Sequence, residues 1–351
     1  MKILAIDTSA DETSVSITES RRVLSYVISS QIKTHKAWGG IVPSIAKLAH
    51  EKRIDRVCEL AVKKANLLNG YADLNAIAVT YGPGLSIALE VGIIKAKQLA
   101  LKHNLPLYAV NHMEGHMYSP FVQNSNGNPD IKIEYPFLSL LISGGHTMIV
   151  NVKENGIYEI LGETQDDAAG EALDKAAKML GLGYPGGPVM EKLAEEVGQV
   201  DKYKFPRPMI HDDSLNMSFS GLKTHFFYLL KGEKGHQIDL NSDLKFLASS
   251  FQEAVFDVLV KKTEKAIIKT NPKSLVVGGG VSSNKYLRKK LRDLGKLHNI
   301  KTFFPSYKYL CGDNASMIGV AAHMMIQRVQ LPADPNNLDR VPRLTLAQNM
   351  K

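Results

Sequence analysis

The chain has 351 residues, 44% of them hydrophobic and 22% charged, with a formal net charge of +8. That length and balance suit two ordinary domains with a real core and exclude a disordered chain, while the positive excess fits either a nucleic-acid partner or a plain basic surface. Two distant cysteines, Cys58 and Cys311, exclude a disulfide framework or a zinc ribbon and point to a reducing compartment.

The residues after Met1 run straight into a strand, Lys2 to Asp7, with neither a signal-peptide nor a transit-peptide pattern. No apolar run reaches the roughly 20 residues that span a bilayer. A cytoplasmic location without a membrane partner is therefore expected. Strands are predicted at Thr13–Thr18, which alternates, and at Val23–Ser29. A charged helix follows from about Ile41 to Leu67, then the strand Ala76–Thr80, a Gly82-Pro83-Gly84 turn, a helix to about His103 and a short strand Leu107–Val110. The order recurs in the second half. Phe137–Ile142 and Thr147–Val152 read as strands around Gly144-Gly145, and Ser274–Val277 runs through a glycine triplet into a helix from Lys285. Gln123–Pro129 reads as a loop, Asn314–Val329 as a closing helix, and the tail from Leu331 as irregular. Strand hairpins followed by alternating helices and strands predict an α/β fold, with mixed sheets covered by helices.

Chemistry concentrates in a few segments. In Asn111–His116 a helix would set His112 and His116 one turn apart on one face, able to share a transition metal; a pair of core or surface histidines is the other reading. The pattern is not HExxH, and Glu114 has the wrong offset for a metallopeptidase base. Asp313 is a candidate third ligand, although local sequence favours it as a helix N-cap. Ser143-Gly144-Gly145 offers amides that can cradle an anion, or a plain hairpin. The Asp7–Thr13 turn, crowded with hydroxyls and carboxylates, occupies the equivalent place in the first half and would suit phosphate handling. Gly278–Asn284 opens a helix whose first amides could meet an anion or simply form a tight junction. Asp167, Glu171 and Asp174 have helical spacing and would share one face, meeting a cation, a ribose or solvent. Gly183–Pro188 is a rigid turn in which Gly187 can approach a ligand, and Ser218–Thr224 is a polar turn or helix start. No nucleophile–base pair is evident, so covalent catalysis is not expected.

Taken in order, His-x-Glu-Gly-His, Ser-Gly-Gly-His-Thr, Asp-Asp-Ala-Ala-Gly-Glu-Ala-x-Asp-Lys, Tyr-Pro-Gly-Gly-Pro, Ser-Phe-Ser-Gly-Leu-Lys-Thr, Gly-Gly-Gly-Val-Ser-x-Asn and Asp-Asn-x-x-Met-Ile resemble the tRNA threonylcarbamoyladenosine transferase (TsaD) family, formerly O-sialoglycoprotease-like, in its bacterial branch. The resemblance covers nearly the whole chain. It implies the actin/Hsp70/sugar-kinase-like fold: two ribonuclease-H-like domains around a cleft, one spanning 1–115 completed by 314–351, the other 116–313. It implies transfer of the threonylcarbamoyl group from threonylcarbamoyl-AMP to N6 of the adenosine 3′ of the anticodon, in tRNAs that read codons beginning with A. It implies one divalent metal ion, iron or zinc, on His112, His116 and Asp313, with Glu12 as an active-site acid. The adenylate would be held by Leu141, Ile142, Ser143, Gly144, Gly145, Asp174, Gly187 and Asn284. The implied partners are tRNA, a homologous TsaB-like pseudo-enzyme, a small TsaE-like ATPase and an upstream threonylcarbamoyl-AMP synthase. Ala10 stands where many members have cysteine, and Leu344 replaces a common tryptophan. Rival readings are a small-molecule kinase or ATPase of the same fold, a metallopeptidase, and a non-catalytic nucleotide-binding scaffold.

Overall fold

A computed structural model of the chain describes residues 1–232 and 238–346. The first part carries β1 (Lys2–Asp7), β2 (Glu12–Glu19), β3 (Arg22–Ser30), α1 (Ile32–Lys36), α2 (Pro43–Lys64), β4 (Ala76–Gly82), α3 (Ser86–His103), β5 (Leu107–Asn111) and α4 (His112–Tyr118). Then come β6 (Phe137–Ile142), β7 (Thr147–Glu154), β8 (Ile157–Glu163), α5 (Ala169–Met179), α6 (Gly187–Glu196), α7 (Ser220–Leu230), α8 (Leu240–Thr270), β9 (Ser274–Gly278), α9 (Lys285–Leu297), β10 (Lys301–Phe303) and α10 (Ala315–Gln327). From 331 to 346 the chain is largely irregular, with one isolated antiparallel bridge from Ala333 to Leu107. None of the described helices is long and apolar enough to cross a membrane. By contact density the chain separates into two units: one takes 1–135, 152–158 and the part from 304 on, the other 136–151 and 159–303.

The first unit is built on a five-stranded sheet ordered β3-β2-β1-β4-β5. β1 is antiparallel to β2 and parallel to β4, which is parallel to β5. β1 is apolar on both faces because both are covered. Its Leu4 and Ile6, with Val15 and Ile17 of β2, pack with Ile54, Val57, Cys58 and Ala61 of α2 and Leu89 and Ile93 of α3. The alternate residues of β2 are small and hydroxylated, which lets α10 approach closely: Ser14 Oγ accepts from the Ala315 amide at 2.9 Å, and Ser16 and Ser316 hydroxyls meet at 2.9 Å. A Cβ on Gly319 would lie 2.6 Å from Thr18 Oγ1, so any larger residue there would have to push Thr18 aside. α10 also packs on α4, and this brings the loop before α10 to the histidines. The tail closes over the turn after β4. The Val341 amide donates to Tyr81 O and the Gly84 amide to Pro342 O, while Leu344 and Leu346 are buried.

The second unit repeats the topology, with its sheet ordered β8-β7-β6-β9-β10 and β9 parallel to both β6 and β10. α8 packs on β6, α6 on α8 and α9 on β10. Phe205 joins Phe226 of α7 and Phe251 of α8 in an edge-to-face cluster.

Candidate active site

α4 begins directly at the end of β5. Asn111 supplies the cap, its side chain accepting from the Met113 amide at 2.9 Å, which fixes the helix start and the direction of His112 and His116. Both rings are buried and meet edge to face with centroids 4.6 Å apart. Gly115 lies between them, where a Cβ would come 2.8 Å from Ile318, so glycine lets α4 sit against α10.

The favoured cap role of Asp313 is corrected here: Asn314 is the N-cap of α10, accepting from the Met317 amide at 3.0 Å. Asp313 is thereby left to turn inward. Its Oδ1 lies 3.4 Å from His112 Nε2 and 3.3 Å from His116 Nε2, and one donor atom from each of the three residues falls within 4.8 Å of the others. Bonds of about 2.1 Å to a tetrahedral ion require ligand–ligand edges of about 3.4 Å. The donor set itself argues for a cation. His112 Nδ1, His116 Nδ1, Asp7 Oδ2 and Asp11 Oδ2 are buried with no hydrogen-bond partner among the described residues. Each such orphan costs about 1–3 kcal/mol unless something else satisfies it. Burial alone would lower the His112 pKa, but the Asp313 and Asp7 carboxylates outweigh it and hold it at about 9. Burial lowers His116, and the two imidazoles hold Asp313 far below the usual carboxylate range although burial opposes them. Two imidazoles and a carboxylate suit a divalent transition ion with open positions.

Glu12 stands at the start of β2 beside this group. Burial, then the Asp11 and Asp313 charges, push its pKa up to about 10, and Ser30 Oγ donates to it at 3.1 Å. The turn that bears Glu12 is pinned from α2: His50 Nε2 lies 3.0 Å from Ala10 O and its Nδ1 2.8 Å from Thr13 Oγ1. No local pattern signals that support, because the partners are 40 and 37 residues apart. Nor does spacing show where Glu114 points. That side chain is buried, accepts from Arg328 Nη1 at 2.5 Å and from Tyr158 Oη at 2.6 Å, and anchors α4 from below.

In the second unit a cavity of about 190 Å³ is lined by Gly144, Asp174, Gly187, Asn284 and their neighbours. Asp174 Oδ1 accepts from the Gly186 and Gly187 amides at 2.7 and 3.0 Å, and burial raises its pKa against those bonds. Gly144, Gly145, Gly187 and Gly280 face open space, whereas Gly279, at φ +91°, touches the Ile142 carbonyl. Leu141 and Ile142 are buried in β6 as the floor of the turn.

Several expectations for this region change. The Gly145 and His146 amides donate to Ser143 Oγ at 3.3 and 3.0 Å, so an anion there would have to displace that hydroxyl. At the start of α9, Asn284 accepts from the Leu287 amide and Glu191 from the Lys285 amide, so those donors are also satisfied; Asn284 Nδ2 donates to Gln252. Asp167, Glu171 and Asp174 do not share a helical face, because α5 starts only at Ala169. Asp167 instead binds Lys175 and Lys223 at 2.7 and 2.6 Å, and Asp166 caps α7 through the Phe219 and Ser220 amides. Ser218–Thr224 is thus a helix start.

Residues 22–320 match the family described as tRNA N6-adenosine threonylcarbamoyltransferase, TsaD. Curated relatives carrying that name include proteins of Desulfitobacterium hafniense (43% identical, covering 99% of this chain and 98% of the relative) and Thermodesulfovibrio yellowstonii (47% identical, covering 92% and 94%). The chain belongs to the tRNA N6-adenosine threonylcarbamoyltransferase family. Its fold is likewise that of the actin/Hsp70/sugar-kinase class, as solved structures show. Full-length HypF in its phosphate- and nucleotide-bound form superposes with a TM-score of 0.62 at 14% identity, covering 94% of this chain and 47% of HypF. The activator of 2-hydroxyisocaproyl-CoA dehydratase from Clostridium difficile gives 0.50 at 12% identity, covering 97% and 99%. For a member of the threonylcarbamoyltransferase family, the His112–His116–Asp313 group is a set of side chains able to hold a metal.

Proposed function

We propose that this chain transfers the threonylcarbamoyl group of threonylcarbamoyl-AMP to the N6 amine of the adenosine beside a tRNA anticodon, releasing AMP. The observation that carries this reading is full-length membership of the transferase family together with the convergence of His112, His116 and Asp313, residues about 200 positions apart, on one point. The ligands would hold iron or zinc, and such an ion supplies Lewis-acid polarisation of a carbonyl or phosphate oxygen. In the second unit, Asp174 would orient the adenylate ribose through the carboxylate oxygen that the glycine amides leave open. The open faces of Gly144, Gly145 and Gly187 would admit the nucleotide closely, and Asn284, fixed by Gln252, would form one wall. The amine nitrogen forms a bond to the carbamoyl carbon, the bond from that carbon to the phosphate oxygen breaks, and AMP leaves with the electron pair. The leaving phosphate or solvent would take the proton that the amine loses, and Glu12, held as its neutral acid by burial and the neighbouring carboxylates, would donate a hydrogen bond in the site. Proximity, without a covalent enzyme intermediate, would supply much of the rate. We further propose a cytoplasmic setting, a TsaB-like pseudo-enzyme and a TsaE-like ATPase as partners, and a separate synthase that makes the adenylate.

Glu114 argues against a metallopeptidase: a carboxylate closed in by Arg328 and Tyr158 cannot activate a water. The test is incorporation of labelled threonine into tRNA by the protein with its partners. His112→Ala and Asp313→Ala are each expected to lower it at least ~100-fold, as removing a metal ligand or its support does. Full activity in both variants would remove the metal's role, and wild-type protein that incorporates no threonine with its partners present would remove the transferase reading.

A further inference from the structure

At the outer edge of the first unit's sheet, three tyrosines form a ladder. Tyr26 of β3 stacks on Tyr309 with centroids 4.0 Å apart and planes 3° from parallel, and Tyr307 continues the stack at 6.0 Å and 25°. Tyr26 and Tyr307 are 43% and 38% exposed, so core packing does not account for them. The rings are held in place: β3 is paired along β2, and Asn124 Nδ2 donates to Tyr307 Oη at 2.7 Å. They line a cavity of about 550 Å³ together with Asn124, Ser125 and Lys64. Arg22 Nη2 fixes the Ser125 wall by donating to its carbonyl at 2.7 Å.

We propose that this ladder is a stacking platform for an unpaired base of the RNA substrate. Parallel aromatic faces at an exposed end accept any base, because every base has a π face. Unpaired loops, not duplexes, present such bases. The Ser125 hydroxyl can meet a base edge, and the Lys64 ammonium suits the adjoining phosphate. Beside Val23 and Leu24 the wall carries the Lys64 ammonium, and a cation next to stacked rings fits a base with its phosphate better than an apolar protein segment. The proposal rests on the reading of tRNA as substrate.

The test uses the full chain and an unmodified tRNA transcript in a fluorescence anisotropy titration, with an RNA duplex of equal length as control. Tyr26→Ala and Tyr307→Ala are each expected to weaken transcript binding about tenfold, to leave duplex binding unchanged, and to keep the salt slope, since no phosphate contact is removed. Tyr26→Phe should bind like the wild type, and Lys64→Ala should reduce the slope. Independently of any variant, a transcript carrying 4-thiouridine in its anticodon loop should crosslink the wild-type protein at the peptide holding Tyr26 or at the one holding Tyr307 and Tyr309. Alanine variants that bind the transcript normally, in a reconstituted system that still transfers threonylcarbamoyl, overturn the platform and leave the transferase reading intact. The same holds if they lose only co-elution with the pseudo-enzyme partner. Wild-type protein that neither binds nor modifies the transcript overturns both.

Discussion

Glu114 and Arg328 set the energetic stakes of the metal centre. Glu114 is buried while Arg328 is half-buried, so removing the arginine leaves an uncompensated buried carboxylate, which costs at most about 3–5 kcal/mol. Because Glu114 sits between the two histidines on α4, its loss also loosens their placement. Arg328→Met is therefore expected to lower the urea midpoint without changing the m-value, and to weaken metal retention in the folded protein under native conditions. A variant that unfolds as the wild type does and keeps its metal would show that the pair is dispensable. The i, i+4 histidines are legible in the sequence because their geometry is local to one short helix. Their third partner is not: Asp313 and Asn314 are adjacent and both are good caps, and only the path of the chain decides which one caps and which turns inward. Arg328 is equally hidden, 214 positions from its carboxylate.

Among elements, α7 starts with no side-chain cap of its own and borrows one from Asp166, while Asp167 ties α5 to α7 through Lys175 and Lys223. Burial tends to raise the pKa of Asp167, but its bonds to the two lysines hold it below the ordinary 3.8. A carboxylate lowered on folding contributes stability above its unfolded pKa, and that contribution is lost as pH falls through the folded value. The second unit should thus weaken below about pH 4, and Asp167→Asn should be less stable at neutral pH and less sensitive to acid in circular dichroism melts. Equal acid sensitivity in the variant would contradict the assignment. Spacing alone puts these carboxylates on one helical face because a count of threes and fours runs through the bend before Ala169 without registering it. α10 gives the companion case: Asn314→Ala is expected to cost about 1 kcal/mol in chemical unfolding and to reduce metal binding, since it frees Asp313 to act as the cap.

For the molecule as a whole, the places of β1, β6 and β9 along the chain are legible because they are nearly continuous apolar runs and the turns after them are glycine-rich or polar. The recurrence of one topology in both sheets follows from that repetition. The approach of α10 to β2 is not legible, since hydroxyls at Ser14, Ser16 and Thr18 read as polar until the facing Ala315, Ser316 and Gly319 are known. The net charge of +8 belongs to this scale. If it serves tRNA phosphates, affinity should fall by more than about tenfold between about 50 and 200 mM salt; a flat salt dependence would mean that the basic surface has another use. The central claim, however, concerns a single ion. X-ray absorption at the metal edge of catalytically active protein is expected to show a shell with two imidazole nitrogens and a carboxylate oxygen at about 2.0–2.2 Å, and to lose the oxygen scatterer in Asp313→Ala. An active enzyme without metal, or a shell lacking imidazole scattering, would contradict it.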